Sequence, residues 1–438
     1  MSAQLLQRAD AVTNELMNAV AFAPDDCVVQ SPPGAGKTRL LEDTAALAAL
    51  ELARSVMVAC PTNDQANDVT ARLAEAYPQL SVDRFMASGA EDPPSLARFA
   101  NVAVVHESAR LRAPVVVATV AKYAEVESIG GVRDVALFDE AYQVKYADYL
   151  RVADLARKRV AIGDPGQIDP ITRTSLRQFA SNPLGPHVPA PKAMLAAGTA
   201  RRFQLPVSRR LPSDSASIVQ PAFYPTLPFE GLAAPGQRHL VAGLAGMTRT
   251  DQLLDAALAA GSLSMVTLPS ETRPRVDPEV IALVADLVDR FIARQFIATD
   301  DEGEVPVGPE HIGVVAFHRD QVAALRAALG SRYSAVHVET ANRFQGLERK
   351  AVISLHPLSG KQRLEGFSTE AGRMCVAISR HRINCIIVGR SGIQDVLDRF
   401  APDDGRFLGQ AEDPFFDGWR AHSVLAATLA ERGALIAA

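Results

Sequence analysis

The sequence predicts an α/β protein in which two domains, each with a parallel sheet, follow one another along the chain. Short apolar runs such as VVVAT (115–119) and KAVISL (350–355) recur throughout, and amphipathic helical patterns lie between several of them. Buried strands that alternate with helices are typical of parallel sheets. The runs form two series, separated by a proline- and glycine-rich stretch within 180–205. We therefore expect domains at 1–200 and 201–438.

The first series begins with a helical pattern and continues with five short strands. The predicted strands are DDCVVQ, VMVAC, VVVAT, VALFD and RVAIGD. The segment DQANDVTARLAEAY, after the second strand, has the apolar spacing of an amphipathic helix. Residues 75–113, between the second and third strands, look loop-like, and we expect a small insertion there.

The second series comprises the runs MVTLP, IGVVAF, SAVHVET, KAVISL and CIIVG. Two amphipathic helices lie among them, VDPEVIALVADLVDRFI (276–292) and RDQVAALRAAL (319–329). Because the strand–helix alternation is repeated in this second half, we predict two α/β domains and not one.

Composition excludes several classes of protein. The chain has 438 residues, 48% hydrophobic and 22% charged, which is ordinary for a globular protein. The four cysteines form no C-x-x-C pair, which argues against a zinc or iron–sulfur site and favours reduced thiols in a cytoplasmic protein. No stretch approaches ~20 uninterrupted apolar residues, so no membrane contact is expected. The net charge of −5 means that any contact with nucleic-acid phosphates must come from a local groove.

The strongest local signal is a glycine-rich turn, SPPGAGKT (31–38), between a predicted strand and a predicted helix. It matches the pattern G-x-x-x-x-G-K-[ST] except that Ser31 replaces the first glycine. In such a loop the backbone N–H groups and Lys37 bind phosphate oxygens, and the hydroxyl of Thr38 binds Mg²⁺. We therefore predict that ATP and Mg²⁺ bind here. The predicted nucleotide-binding residues of the loop are Gly34, Ala35, Gly36, Lys37, Thr38 and Arg39.

Two polar turns after later strands carry further candidate residues. VALFDEAYQ ends a strand at Asp139 and Glu140, where one carboxylate can hold Mg²⁺ and its neighbour can polarise an attacking water. In AIGDPGQIDP, Gln167 follows a Gly-Asp-Pro turn. Its amide can donate and accept at once, which suits sensing a terminal phosphate or linking that phosphate to a bound strand. Taken alone, each turn is also compatible with an ordinary solvated strand end.

The second domain contributes a glycine turn and two arginines. TANRFQGLERKAVIS places Gly346 and Glu348 in a turn before a strand. GRMCVAISRHR places Arg373 and Arg380 seven residues apart, roughly on one helix face. An arginine that reaches across a domain cleft can stabilise charge on a transferring phosphoryl group. The alternative is a solvated or surface ion-paired arginine, and it fits Arg373 better than Arg380.

In order along most of the chain, these segments resemble the motifs of superfamily 1 helicases, which have two RecA-like P-loop domains with parallel sheets. SPPGAGKT resembles motif I, ACPTNDQA motif Ia, VVVATVAKY motif Ic, DEAYQ motif II and GDPGQIDP motif III. LPVSRRLP resembles the arginine motif that opens the second domain. IGVVAFHRDQ, ETANRFQGLE and RMCVAISR resemble motifs IV, V and VI.

The resemblance implies a role for each matching residue. Lys37 and Thr38 resemble the phosphate and Mg²⁺ ligands, Asp139 and Glu140 the metal-binding and water-activating carboxylates, and Gln167 the γ-phosphate sensor. Arg210 and Arg380 resemble the two arginines that reach the γ-phosphate from the second domain, and Gly346 and Glu348 the motif V nucleotide contacts. The residues that fall where the family touches the nucleic-acid backbone are Thr62, Asn63, Thr119 and Thr340.

The sequence departs from the family pattern in three places. Ser31 replaces the first P-loop glycine, but its backbone N–H remains. Arg209 stands where many relatives have a tyrosine that often stacks on adenine, and its guanidinium plane could stack in the same way. The upstream glutamine that usually reads adenine is unclear, with Gln7 the nearest candidate at slightly wrong spacing.

Two functions remain open at this stage. DEAYQ and GDPGQ resemble the RecD and Upf group, which implies an ATP-driven helicase or translocase that moves 5′→3′ on single-stranded DNA, with RNA an open alternative. The other interpretation is a P-loop ATPase that switches a protein partner without unwinding. A small-molecule kinase would leave the motifs at 340–380 unexplained. Further candidates for a strand-binding groove, each also compatible with a plain surface position, are Arg201, Arg202, His318, Arg319 and His356.

Overall fold

Two parallel sheets, one after the other along the chain, confirm the predicted α/β class. The structure is a computed structural model that describes residues 2–170, 179, 182–402 and 414–438. The first sheet has the strand order β4-β3-β5-β2-β6-β7-β1-β8, and every neighbouring pair is parallel. Its strands are β1 (Asp26–Gln30), β2 (Val56–Cys60), β3 (Val82–Phe85), β4 (Val102–Val105), β5 (Val115–Thr119), β6 (Arg133–Phe138), β7 (Ala156–Gly163) and β8 (Ala200–Gln204).

Helices cover both faces of this sheet, so its strands are apolar on both sides. The helices are α1 (Ser2–Phe22), α2 (Lys37–Ala46), α3 (Asn63–Ala76), α4 (Val120–Tyr123), α5 (Tyr146–Leu150) and α6 (Ala190–Ala196). Successive side chains of a strand point to opposite faces. On β1, Val29 therefore packs in the core with Leu41 of α2, whereas Val28 packs in the core on the other face with Phe138.

The second sheet is smaller and also entirely parallel, with the order β16-β15-β17-β18-β12-β19. Two smaller sheets, β9–β10 and β11–β13–β14, accompany it. The strands are β9 (Val207–Ser208), β10 (Glu230–Gly231), β11 (His239–Val241), β12 (Leu263–Leu268), β13 (Ile297–Asp300), β14 (Gly303–Pro306), β15 (Ile312–Ala316), β16 (His337–Thr340), β17 (Arg349–Leu355), β18 (His381–Arg390) and β19 (Leu435–Ala437). The helices are α7 (Ser213–Phe223), α8 (Arg249–Ala259), α9 (Pro278–Ala293), α10 (Arg319–Leu329), α11 (Ala341–Phe344), α12 (Gly366–Thr369), α13 (Ala371–Ile378), α14 (Ile393–Arg399) and α15 (Pro414–Glu431).

The expectation of a loop-like insertion at 75–113 is wrong, because this segment adds β3 and β4 to the sheet. β3 pairs with β5, and β4 pairs with β3. The charged pair Asp83 and Arg84 interrupts the apolar pattern of β3, yet both side chains are buried. Asp83 accepts hydrogen bonds from the backbone N–H groups of Arg112 and Ala113, at 2.7 and 2.8 Å. Burial of its charge is therefore compensated by hydrogen bonds.

The first sheet extends beyond the domain boundary predicted at residue 200. Strand β8 begins at Ala200 and pairs with β1 along its whole length, from Asp26 opposite Ala200 to Gln30 opposite Gln204. Its exposed arginines hide it from a search for apolar runs. The connection to the second domain therefore follows Gln204.

Two further expectations concern thiols and membranes. All four cysteines are buried and free, which agrees with reduced thiols. Within the described part of the chain, no helix is long and apolar enough to cross a membrane.

Candidate active site

The glycine-rich turn lies between β1 and α2, as predicted. Gly34 and Gly36 have φ angles of 70° and 91°, in the left-handed region where glycine is favoured. Ser31 fits without strain, because its backbone N–H donates to the carbonyl of Gly163 at 2.9 Å and its hydroxyl donates to that of Pro32 at 3.1 Å. The loop therefore leads into the N-terminus of α2, a place where backbone N–H groups bind anions.

Lys37 and Glu140, from two separate motifs, meet at this loop. The Nζ atom of Lys37 lies 3.0 Å from the carboxylate of Glu140, and both side chains are largely buried. Glu140 has φ 43° and ψ 43°, a left-handed conformation that is uncommon outside glycine. Such strain tends to occur at functional positions. The turn after β6 therefore directs this carboxylate toward Lys37, the predicted phosphate-binding residue.

Asp139, the first residue after β6, is buried beside Glu140 and suits a divalent cation. Burial, and to a lesser extent the charge of Glu140, raise the pKa of its carboxyl to about 7, while Lys37 opposes the shift. A buried carboxyl with so high a pKa favours either a proton or a bound cation. Together with the hydroxyl of Thr38 at the start of α2, it supplies the oxygen ligands that Mg²⁺ prefers. These residues therefore fit the predicted metal.

Gln167 takes part in a buried network that reaches the second domain. Its Nε2 donates to Oδ2 of Asp164 at 2.7 Å, and its Oε1 accepts from Nε2 of Gln345 at 2.7 Å. Asp164 is buried close enough to Lys37 and Arg380 for both to act on its charge. Residue Asp164 was not among the sequence candidates. Its position in the GDPGQ turn is the only signal that could have pointed to it.

The two candidate arginines of the second domain differ in their surroundings. Arg380 is 1% exposed, and its guanidinium donates to the carbonyl of Val376 at 3.1 Å and to the hydroxyl of Ser379 at 3.1 Å. Burial, with Arg210 nearby, lowers its pKa to about 10. Arg210 instead forms an ion pair with Glu348, with Nε 2.7 Å from Oε2.

Glu348 therefore forms ion pairs with two arginines in this structure. Besides Arg210, it contacts Nη1 of Arg382 at 3.3 Å, and both cations lower the pKa of its carboxyl. Gly346, before it, has a φ of 85°, which the turn requires. Direct contact of Gly346 and Glu348 with nucleotide stays a prediction.

The segment that carries Arg209 and Arg210 packs directly on the glycine-rich loop. The hydroxyl of Ser208 donates to the carbonyl of Pro33 at 2.6 Å, and the backbone N–H of Arg209 donates to that of Gly34 at 2.9 Å. A Cβ atom at Gly34 would lie 2.2 Å from Cβ of Arg210. The connection between the domains thus touches the loop itself. The guanidinium of Arg209 also lies beside the loop, 3.4 Å from the carbonyl oxygen of Ala35.

Arg39 and Gln7 are less directly placed. Arg39 is exposed on α2 and pairs with Asp43, with Nε 2.9 Å from the carboxylate. Gln7 is exposed on α1. Roles for Arg39, Arg209 and Gln7 toward the nucleotide stay predictions.

Three of the four candidate strand contacts occupy equivalent positions. Thr62, Thr119 and Thr340 are the N-cap residues of α3, α4 and α11, at the carboxyl ends of β2, β5 and β16. Each therefore lies at the edge of its sheet where loops are free to bind ligands. The side chain of Asn63 accepts a hydrogen bond from the buried guanidinium of Arg84 at 2.8 Å.

The additional groove candidates separate into two groups. His356 is buried against His422, with ring centroids 5.3 Å apart, so its assignment to a surface groove is wrong. Arg201 pairs with Glu15 of α1. Arg202 is exposed on β8, Arg319 is exposed at the start of α10, and His318 is partly exposed and stacks on Phe367 at 4.6 Å.

Comparisons with known proteins agree with this arrangement in both halves of the chain. Family models described as AAA domains match residues 13–183, which include β1–β7, and residues 270–392, which include β13–β18. The DNA replication ATP-dependent helicase/nuclease dna2 of Schizosaccharomyces pombe is 23% identical over 261 residues, which are 58% of this chain and 18% of that protein. Together with the ordered motifs, these matches support a protein of the superfamily 1 helicase type.

The chain is similar to the helicases of superfamily 1.

Solved structures of helicases align with this chain over most of its length. The arterivirus nonstructural protein 10 helicase has a TM-score of 0.44 at 15% identity, covering 86% of this chain and 62% of that one. The PRRSV helicase has a TM-score of 0.41 at 16% identity, covering 88% and 56%. The chain thus spans less than two thirds of the length of each of these relatives.

Proposed function

We propose that the protein hydrolyses ATP with Mg²⁺ in the cleft between its two domains and uses that cycle to move along single-stranded nucleic acid. The observation that carries this proposal is that Lys37 and Glu140 of the first domain, with Asp139 beside them, and Arg380 of the second domain all lie around Asp164, close enough for Lys37, Glu140 and Arg380 to act on its charge. When ATP is hydrolysed in a cleft between two domains, binding of the nucleotide closes the cleft, so ATP binding and domain movement are linked. A single P-loop domain with its own catalytic groups would not need the second set.

The chain's own residues suggest how the cycle begins. Lys37 is occupied by Glu140 at 3.0 Å, so an incoming phosphate must compete for the lysine. Once Lys37 turns to the phosphate, Glu140 is released to orient the attacking water and accept its proton. Bound Mg²⁺, held by Asp139 and Thr38, would neutralise charge on the phosphates. Arg380 would stabilise the charge that develops on the γ-phosphoryl group.

We further propose single-stranded DNA as the preferred strand and 5′→3′ as the direction. Two of the similar proteins support DNA as the strand: one is described as a DNA replication helicase, and the structure of an arterivirus helicase is a complex with DNA. The direction rests on the resemblance of DEAYQ and GDPGQ to the RecD and Upf group. The strand would lie across the carboxyl ends of both sheets, along Thr62, Asn63, Thr119 and Thr340.

The test is to measure ATP hydrolysis with oligo(dT), oligo(rU), blunt duplex DNA and no nucleic acid, with a Lys37→Ala preparation as the blank. Stimulation by oligo(dT) beyond the other arms supports the proposal. Displacement of streptavidin from either end of a biotinylated oligo(dT) reports direction, and preferential displacement from the 3′ end indicates 5′→3′ movement. A second candidate, an ATPase switch acting on a protein, is favoured by the net charge of −5. Hydrolysis that ignores every nucleic acid would select it.

Strand binding should be nearly independent of base sequence and should weaken with salt. The candidate contacts are short hydroxyl and amide side chains, which suit the sugar–phosphate backbone. Lys122, on α4 close to Thr119, is a cation near this position, with its Nζ over the ring of Phe85 and 3.8 Å from Glu125. We expect affinity for oligo(dT) to fall roughly tenfold between about 50 and 200 mM salt, as a few phosphate contacts imply.

Fluorescence anisotropy with oligonucleotides of different sequence measures both effects. Lys122→Gln should flatten the salt dependence, whereas Arg72→Gln, which removes an exposed arginine paired with Asp68 on α3, should leave it unchanged. A strong preference for one sequence, with an affinity insensitive to salt, would contradict the assignment.

A further inference from the structure

The turn that carries Gln167 continues from β7 of the first domain and packs against the second domain. Ile168, next to Gln167, is buried in the core cluster of the second domain together with Tyr224. A Cβ atom at Gly372, on α13, would lie 2.6 Å from the carbonyl oxygen of Gln167. Movement of the second domain must therefore act directly on this turn.

Tyr224, immediately after α7, forms the tightest of these connections. Its ring covers Gly166 so closely that a Cβ atom there would lie 2.4 Å from Cζ of the tyrosine. Its hydroxyl donates to Oδ1 of Asp164 at 2.8 Å. The ring packs edge-on against Phe229, with centroids 5.2 Å apart. The aromatic ring thus serves the core, while the hydroxyl crosses to the first domain.

The carboxylate of Asp164 links this hydroxyl to the sensor glutamine. One oxygen accepts from Tyr224 and from the backbone N–H of Gly166 at 3.0 Å, and the other accepts from Nε2 of Gln167 at 2.7 Å. Because the amide nitrogen of Gln167 is fixed in this way, its oxygen faces Gln345 of the second domain. The network therefore fixes the orientation of the amide group: its nitrogen donates to Asp164, and its oxygen accepts from Gln345.

The same hydroxyl is also connected to the helix that precedes Arg380. The thiol of Cys375, on α13, donates to the tyrosine oxygen at 3.2 Å. Burial and the neighbouring carboxylate raise the pKa of Tyr224, so its hydroxyl stays protonated and remains a donor. Two elements of the second domain, α7 and α13, therefore act on Asp164 through one phenol.

We propose that Tyr224 is a positioning residue whose hydroxyl couples nucleic-acid binding to ATP hydrolysis, by holding Asp164 and through it the amide of Gln167. This inference rests on the proposed function. A bound strand would shift the segment from Thr340 to Gln345, and Gln345 would pass this shift to the amide of Gln167. The amide follows the shift in a defined orientation only while Asp164 holds its nitrogen. Without the hydroxyl, Asp164 and the amide become free to reorient, and the strand no longer controls the sensor.

Tyr224→Phe removes the hydroxyl and keeps the ring packed. We expect the rate with saturating oligo(dT) to fall about tenfold or more, because the bound strand no longer brings the amide of Gln167 into place, and misplacement of such a group has effects of that size. The rate without strand, the KM for ATP and the affinity for oligo(dT) should each change less than about twofold, since no ligand contact is removed. If Tyr224 had only a structural role, the substitution would alter the melting temperature and would not affect the strand-stimulated rate separately from the strand-free rate, the KM and the affinity for oligo(dT).

Tyr333→Phe is the matched control. Tyr333 also lies in the second domain, and its hydroxyl donates to a carboxylate, that of Asp289. Both partners belong to one domain, so this variant should retain full stimulation by oligo(dT). Thermal melting of both variants checks that they are folded.

A double-variant cycle with Gln345→Met tests whether the effect passes through Gln167. If Tyr224 and Gln345 act on the same amide, the double variant should be about as slow as the slower single variant. The proposal is overturned if the rate deficits of the two single variants multiply in the double variant. It is also overturned if Tyr224→Phe is stimulated normally by oligo(dT), or if its hydrolysis rate falls equally with and without strand. If the unaltered protein hydrolyses no ATP, or ignores oligo(dT), the proposed function fails and this inference falls with it.

Discussion

Glu140→Gln should yield a protein that binds ATP and turns it over at least about a hundredfold more slowly. Glutamine preserves the size of the side chain, and so the unusual backbone turn at this position, but it cannot accept a proton from water. The variant also removes the ion pair with Lys37, which competes with phosphate for the lysine. Nucleotide affinity should therefore be unchanged or higher.

Equilibrium binding of a fluorescent ATP analogue and steady-state hydrolysis measure the two quantities separately. Lys37→Ala is the informative comparison, since it removes the phosphate-binding cation and should abolish hydrolysis while also weakening binding. Loss of ATP binding in folded Glu140→Gln would mean that the roles of Asp139 and Glu140 are exchanged.

Arg380→Ala should lower strand-stimulated hydrolysis by roughly 10³-fold or more, the range seen when an arginine acts across a cleft. In the described part of the chain, the side chain of Arg380 is buried with neutral hydrogen-bond partners and forms no ion pair. Keeping a charge in such a place destabilises the folded protein. An anionic ligand, the γ-phosphate, would relieve that cost, most of all in the transition state.

Affinity for ATP should change far less than turnover, because the proposed nucleotide contacts Lys37, Thr38 and Asp139 all belong to the first domain. Arg380→Lys should recover part of the rate, since it restores the charge without the planar fork. A loss below about tenfold, or a loss of affinity equal to the loss of rate, would transfer the role to Arg210. In that case Arg210→Ala, which also removes the ion pair with Glu348, should show the larger loss of turnover.

The parts of the site that sequence predicts are those encoded by short contiguous patterns. The glycine spacing around Lys37 requires a particular backbone, and the carboxylates of Asp139 and Glu140 follow a buried strand. Both features are local, so they can be recognised without knowing what packs nearby. The paired strand–helix series predicts two parallel sheets for the same reason.

Features that depend on contacts between distant segments were not predictable. Tyr224 looks like any aromatic residue after a helix, and only packing of α7 against the GDPGQ turn gives its hydroxyl a partner. Strand β3 escaped notice because Asp83 and Arg84 break its apolar run, although distant groups satisfy both charges. A histidine is a plausible groove residue, but His356 is buried just after β17, where its ring packs against His422 of α15.

The pairing of β1 has a consequence for how the chain folds. Residues 26–30 lie between β7 and β8, strands that the ribosome delivers much later, so the strand that ends at the glycine-rich loop is enclosed only after residue 204 has emerged. Contacts between segments so far apart in sequence form slowly. During synthesis, the edges of β1 therefore stay exposed to other chains for a long period, and this is the stage at which a chaperone would have most effect.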